Sequence, residues 1–321
     1  MSQLDLSIVI PLFNEDESLP ELTQWISRVM DREGYTYEII FVNDGSTDNS
    51  WQVIQELRAE NANVKAISFR RNQGKSAGLN QGFKAASGQV VITMDADLQD
   101  SPEEIPELRK MILEDGYDLV SGWKQKRYDP ITKTLPTKLF NAATRRISKI
   151  KLNDFNCGLK AYRLEVVHNI EVYGEMHRYI PFLAKNKGFS KIGEKVVQHQ
   201  ARKYGTTKFG LDRFINGFLD LATLAVMGKF GRRPMHFFGA YGTFMFLLSV
   251  ALLAYLGVYK LWALSAGVEA RLITENPLFY ILLASTIIGV QLFAVGFVAE
   301  LLLRESSKRH DYTINDKIGL D

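Results

Sequence analysis

The stretch "VVITMDADLQD", residues 90–100, decides how this chain is read. Val90, Val91 and Ile92 form a continuous apolar run, the mark of a strand covered on both faces. Asp95, Asp97 and Asp100 then fall within six positions, with Gln99 among them. Clustered carboxylates repel one another, so something must hold them at the end of a strand. Hard oxygen donors at this density suit a divalent cation, and a cation in turn suits a diphosphate.

The pattern extends outward from that stretch. "LSIVIPLF", "YEIIFVND", "VKAISF", "QVVITMDAD" and "YDLVSG" read as strands. Between them "SLPELTQWISRVM", "NSWQVIQELRAEN", "KSAGLNQGFKAAS" and "PEEIPELRKMILE" read as helices. Alternation of this kind predicts an α/β fold, a mostly parallel, Rossmann-like sheet with helices on both faces. Ligands of such sheets bind at the carboxyl ends of the strands. "NEDES", "NDGSTD", "RRNQGKS" and "DADLQD" all fall at those ends and converge on one rim. "NQGKS" resembles the end of a P-loop, but Phe69 stands where that motif needs glycine. No GxGxxG follows the first strand, so a dinucleotide fingerprint is missing too.

Composition bounds the alternatives. The chain has 321 residues, 46% of them hydrophobic, and a formal charge of only +3, so no global charge argument points to nucleic acid. Cys157 is the single cysteine, which excludes an internal disulfide. The five histidines are scattered without zinc-ligand spacing. The N-terminus lacks a basic region and its apolar run is broken by Asp5 and Pro11, so no signal peptide is expected.

Pro234 to Tyr259 and Asn276 to Ala299 contain no Asp, Glu, Lys or Arg. Each run exceeds the roughly 20 residues that a helix needs to cross a bilayer core. Lys229, Arg232 and Arg233 precede the first; Arg304, Lys308 and Arg309 follow the second. The positive-inside rule then predicts an integral membrane protein with two spans and both ends cytoplasmic. A buried hairpin of a soluble protein is the competing reading.

"SIVIPLFNE", "VNDGSTDNS", "MDADLQD" and "DFNCGLKAYR", followed by two hydrophobic spans, resemble the family 2 glycosyltransferases. The polyprenyl-phosphate glycosyltransferases, dolichol-phosphate mannosyltransferase and the bacterial undecaprenyl-phosphate glucosyltransferases among them, are the similar subgroup. The resemblance covers nearly the whole chain. It implies a glycosyltransferase A fold, a nucleotide-sugar donor, Mg²⁺ or Mn²⁺, and inverting transfer of one sugar to a polyprenyl phosphate. Pro11, Phe13, Glu15, Val42 and Ala96 would then belong to the donor site, with Phe13 standing where the family often has tyrosine. Asp44 would bond the base, Asp95 would lie near ribose and metal, and Asp97 and Gln99 would reach the metal. Asp44 and Asp48 also suit turn and helix capping, and Asp100 or Ser101 suits a cap of the next helix.

"HQARKYGTTKFG" resembles the family's basic loop, which makes Arg202 and Lys208 diphosphate clamps for the departing charge. Asp154 matches the family's acidic residue near the acceptor, usually called the base. A phosphate monoester is mostly ionised at neutral pH, its second pKa being about 6, so Asp154 could orient rather than deprotonate the acceptor. Arg127, Lys138 and Arg145 are placed by the same motif at the lipid phosphate. In residues 123–151, Leu139, Phe140, Ala143, Ile147 and Ile150 share a helix face among basic side chains. A second amphipathic pattern places Phe214, Phe218, Leu221 and Ala225 together.

The expected organisation is a catalytic domain over 1–207, an interfacial helix over 208–233, spans near 235–259 and 277–303 within 234–304, and a tail over 305–321. The expected donor is UDP-glucose, since the two-span form resembles the glucosyl subgroup; GDP-mannose is the alternative. The resemblance also implies a homotetramer. A processive polysaccharide synthase would carry QxxRW, and none of Trp25, Trp51, Trp123 and Trp262 follows an arginine. A non-catalytic scaffold would have lost the rim acids, yet Asp44, Asp95, Asp97 and Asp154 are present.

Overall fold

The computed structural model describes residues 4–125, 141–142, 144–146, 148–200, 203, 234–268 and 272–305. They fall into two units, one up to residue 203 and one from residue 234. The interfacial helix expected over 208–233, the positions Leu139, Phe140, Ala143 and Ile147, and the tail beyond 305 lie outside the described residues.

The first unit is built on strands β1 (Leu6–Leu12), β2 (Tyr37–Asn43), β3 (Val64–Ser68), β4 (Val90–Thr93), β5 (Leu119–Trp123), β6 (Lys160–Arg163) and β7 (Ile192–Val196). Their order in one sheet is β3-β2-β1-β4-β6-β5-β7. β1 runs parallel to β2 and β4, and β5 parallel to β7. β6 is antiparallel to both of its neighbours, β4 and β5. The sheet is thus mixed, with the parallel core that the alternating pattern predicts.

Helices α1 (Leu19–Glu33), α2 (Ser50–Glu60), α3 (Lys75–Ala85) and α4 (Ile105–Leu113) follow the first four strands. Shorter α5 (Leu164–Asn169) and α6 (Ile180–Asn186) follow β6. α1 buries Leu19, Leu22, Ile26, Val29 and Met30, a helical stripe, and stops at Gly34 in the left-handed conformation (φ 69°). That stripe and Ile105, Leu108 and Ile112 of α4 cover Ile8, Ile10 and Ile92 on one sheet face. On the other face Phe83 of α3 meets Tyr162 of β6 edge-on at 5.4 Å. Each such fully buried side chain contributes about 1.5–3 kcal/mol. Two covered faces explain why β4 reads as an unbroken apolar run, and β1 and β2 as runs broken only by Ser7, Glu38 and the terminal Asn43.

The second unit pairs α7 (Ala240–Ser265) with α8 (Pro277–Glu305). α7 continues a π-helical turn, Met235–Gly239, and runs past Tyr259 through Lys260 to Ser265, beyond the charge-free run. The two helices touch where Gly242 faces Gly289: a Cβ on Gly242 would lie 2.6 Å from the Gly289 carbonyl oxygen. Only 6% of the most apolar window of the first helix, and 17% of the second, is buried. The core hairpin of a soluble protein would hide such surface. Both helices are long and apolar enough to cross a membrane.

Candidate active site

The acidic stretch sits just past the end of β4, which pairs Thr93 with Lys160 of β6 and then leaves the sheet. The turn hinges on Leu98, whose φ of 58° is left-handed. A side chain in that conformation costs about 1–2 kcal/mol. Burial of Leu98, which is 3% exposed, offsets it. The carboxylate of Asp97 accepts the backbone N–H of Gln99 at 3.2 Å. Gln99 is tied to the next segment, accepting the N–H of Gln200 at 3.0 Å and donating through its side chain to the Gln200 carbonyl.

The structure divides the two candidates for the helix cap. Ser101 is the cap, its hydroxyl accepting from the backbone N–H of Glu103. Asp100 is fully buried and pairs with Lys124 at 2.8 Å. The capping reading of Asp100 is therefore corrected: a buried carboxylate needs a charged partner more than a helix end does. Burial works against the charge of Lys124, but Asp100, Cys157 and Asp95 hold its pKa above the ordinary lysine range.

Asp95 is ion-paired with Lys75, the first residue of α3. Burial alone would raise its pKa. The ammonium groups of Lys75, Lys124 and Lys160 outweigh that and hold the carboxyl below the usual range. The backbone of Gly158 packs directly on the carboxylate; a Cβ there would lie 2.6 Å from Asp95 Oδ2. Lys75, Asp95, Lys160, His177 and Arg178 share one small cavity with Pro11 and Tyr162. The His177 pKa falls well below its ordinary value, through burial first and Lys75 second.

At the end of β2 both oxygens of Asp44 accept backbone N–H groups, from Gln73 at 2.6 Å and Gly74 at 2.9 Å. Asp44 thereby shapes the loop into α3, and each oxygen keeps a lone pair for a ligand. Asp48 precedes the cap position, Asn49, and its carboxylate accepts from the N–H of Ser50, the first residue of α2, at 3.0 Å. Phe13 and Glu15 lie half-buried beyond β1, with Glu15 N donating to Ser50 Oγ. Val42 and Ala96 are buried, and Val42 packs against Gly78 of α3.

Asp154 lies on the turn before β6 and is 1% exposed. Its carboxylate accepts from Asn156 N at 3.0 Å. Glu194 of β7 holds the turn, accepting from the N–H groups of Asn153 at 2.7 Å and Asp154 at 2.9 Å. Arg145 reaches the same turn, donating to Asn153 Oδ1 at 3.1 Å. Residues 141, 144 and 148 of that helical stretch are buried, and Lys185 caps its end by donating to the Ser148 and Lys149 carbonyls. Arg127, Lys138, Arg202 and Lys208 lie outside the described residues.

Among the described residues no three His, Cys, Asp or Glu side chains form a metal cluster. A site of two carboxylates and the Gln99 amide oxygen, completed by diphosphate oxygens, needs none. The donor chemistry of Asp95, Asp97 and Gln99 fits a hard divalent ion. Sequence reasoning assigned no role to Lys75, Lys124, Lys160 or His177. Lys75 stood in the rejected P-loop resemblance, Lys124 in a basic segment read as surface, and Lys160 inside the quoted "GLK".

A mixed α/β sheet with a carboxylate rim at the ends of its parallel strands defines the glycosyltransferase A class. The chain belongs to glycosyl transferase family 2, whose profile matches residues 7–171. It is 32% identical over 95% of its length to the dodecaprenyl-phosphate galacturonate synthase of Rhizobium johnstonii, covering 89% of that protein. It is 36% identical over 93% of its length to the undecaprenyl-phosphate 4-deoxy-4-formamido-L-arabinose transferase of Pseudomonas syringae, covering 86% of it. Among solved structures, glucosyl-3-phosphoglycerate synthase of Mycobacterium tuberculosis in complex with Mn²⁺, UDP and phosphoglyceric acid shares the fold. It has a TM-score of 0.51 and 21% identity, over 70% of this chain and 78% of that one.

Proposed function

We propose that this glycosyltransferase moves a single sugar, with inversion, from a nucleotide sugar to a polyprenyl phosphate at the cytoplasmic face of a membrane. The observation that supports the reading is a family 2 sheet with Asp95 and Asp97 just past the end of β4 and Asp154 before the adjacent β6, in a chain that also has two long apolar helices. The named relatives act with dodecaprenyl and undecaprenyl phosphates and carry different sugars. UDP-glucose remains the first donor to try, with donors carrying galacturonate or formamido-arabinose beside it.

Asp44, Phe13 and Glu15 would hold the nucleoside, and Arg202 and Lys208 the diphosphate. Asp95, Asp97 and Gln99 would hold Mg²⁺ or Mn²⁺, which when bound offsets charge on the leaving diphosphate. Asp154 would orient the acceptor phosphate, or take its remaining proton, opposite the leaving group. Arg127, Lys138 and Arg145 would draw the lipid phosphate to that turn. Burial of Asp154 and its support by Glu194 favour an orienting role, since a fixed carboxylate positions well.

Binding of fluorescent nucleotide sugars to the purified full chain tests the donor half. Asp97→Ala should abolish the Mn²⁺-dependent part of binding while the circular dichroism spectrum stays unchanged. Unaltered Mn²⁺-dependent affinity would remove Asp97 from the site.

A further inference from the structure

Among the described residues, the cavity that Asp95 lines carries more cationic than anionic side chains. Lys75, Lys160 and Arg178 line it, against the single carboxylate of Asp95. Lys75 is paired with that carboxylate. Lys160, at the start of β6, is 4% exposed. Its ammonium has three donors, and among the described residues only the Cys157 carbonyl accepts from it. Burial, with Lys75 beside it, lowers the Lys160 pKa, and a buried amine with idle donors is costly unless a ligand completes it. Neighbouring groups do not: the Thr93 hydroxyl donates to the Gly158 carbonyl at 2.9 Å, and the Tyr162 hydroxyl lies 3.4 Å from Thr93. His177 stays neutral through burial beside Lys75, so it adds no further charge.

We propose that Lys75, Lys160 and Arg178 form an oxyanion site, separate from the 202–208 loop, that takes one anionic group of the donor. The group is either a phosphate oxygen of the diphosphate or a carboxylate on the sugar. The shared chemistry is a compact oxyanion that accepts from the idle donors of Lys160 and balances the surplus charge. A neutral hydroxyl would accept the hydrogen bonds and leave the charge. Thr93 and Tyr162 line the same cavity, so a group that enters it shares the space with Lys160. The site rests on the donor reading above and names a further part of donor recognition.

Calorimetric titration of the full chain in detergent with EDTA present tests it. The probes are inorganic phosphate, UDP, UDP-glucose and UDP-galacturonate. Lys160→Met should weaken at least one nucleotide probe tenfold or more, and Lys160→Arg should restore most of the loss. An equal loss for UDP and both nucleotide sugars assigns the site to a phosphate oxygen. A loss confined to UDP-galacturonate assigns it to the sugar carboxylate. Either outcome supports the site. Arg178→Gln, at the half-exposed wall, serves where Lys160→Met does not fold, with a loss of threefold or more expected. Wild-type affinities for all four probes in these variants would overturn the site. A wild-type chain that binds inorganic phosphate, lost in the variants, but no nucleotide would retain the site and overturn the transfer reading instead.

Discussion

Gly158→Ala isolates how finely Asp95 is placed. The added methyl would lie 2.6 Å from Asp95 Oδ2 and 2.7 Å from its Cγ. That is about 0.9 Å inside a comfortable contact of about 3.5 Å. Neither side yields easily. Gly158 is held by the Thr93 hydroxyl on its carbonyl, between buried Cys157 and Leu159. Asp95 is held by Lys75. The carboxylate is the smaller group and gives way, so it moves by most of an ångström. Overpacking of this kind costs about 1–3 kcal/mol in stability, which the fold tolerates. A misplacement of about 1 Å at a reacting centre costs about 100-fold in rate. Initial rates of sugar transfer, measured beside the thermal midpoint and Mn²⁺-dependent donor affinity, should show a loss of that order in a folded protein. A variant with rates within threefold of wild type and an unchanged midpoint would refute the idea that backbone contact at Gly158 sets the carboxylate.

Three further outcomes follow from the same geometry. Asp154→Asn can keep the turn through Asn156 N, so donor affinity should persist while transfer falls by about 10²–10⁴-fold; near-normal turnover would take Asp154 out of the mechanism. Cys157 is buried and its thiol is pushed up to about 12, by burial first and Asp100 second, so iodoacetamide at pH 8 should leave the native chain unlabelled and label it rapidly in denaturant. Labelling of the native chain at a free-thiol rate would contradict that burial. The pKa of His177 is depressed in the folded chain, so the unfolded chain takes up the extra proton as pH falls below about 6.5. Stability conferred by the neutral ring is present above that pH and is lost as pH falls toward the folded value. Denaturation midpoints between pH 7.5 and 5 should therefore decline in wild type and decline less in His177→Gln; parallel slopes would show that other groups carry the effect.

Much of this was legible in sequence because the relevant signals are local. Strands β1 to β5 and helices α1 to α4 each stand where period and turn residues place them. β6 and β7 were not legible. "KAYR" and "IGEKV" are short and polar, and they become strands only because β4 and β5 offer edges to pair with. The same non-local pairing hides the lysines. Lys124 reads as one more cation in a basic segment, and only the fold brings it to Asp100, 24 positions earlier. Lys75 and Asp95 come together because α3 begins where β4 ends, at the same rim. The acids announced a site by their density. Their counter-charges arrived singly from distant elements, which no spacing rule can anticipate.

The most direct measurement is product identity. Purified full-length chain in vesicles, supplied with undecaprenyl phosphate, Mn²⁺ and radiolabelled nucleotide sugars, should yield one labelled lipid for the preferred donor. Mild acid should release a single sugar from it, and Asp97→Ala should yield none. A labelled polymer, or no labelled lipid from a panel spanning glucose, mannose, galacturonate and formamido-arabinose donors, would contradict single-sugar transfer to a polyprenyl phosphate.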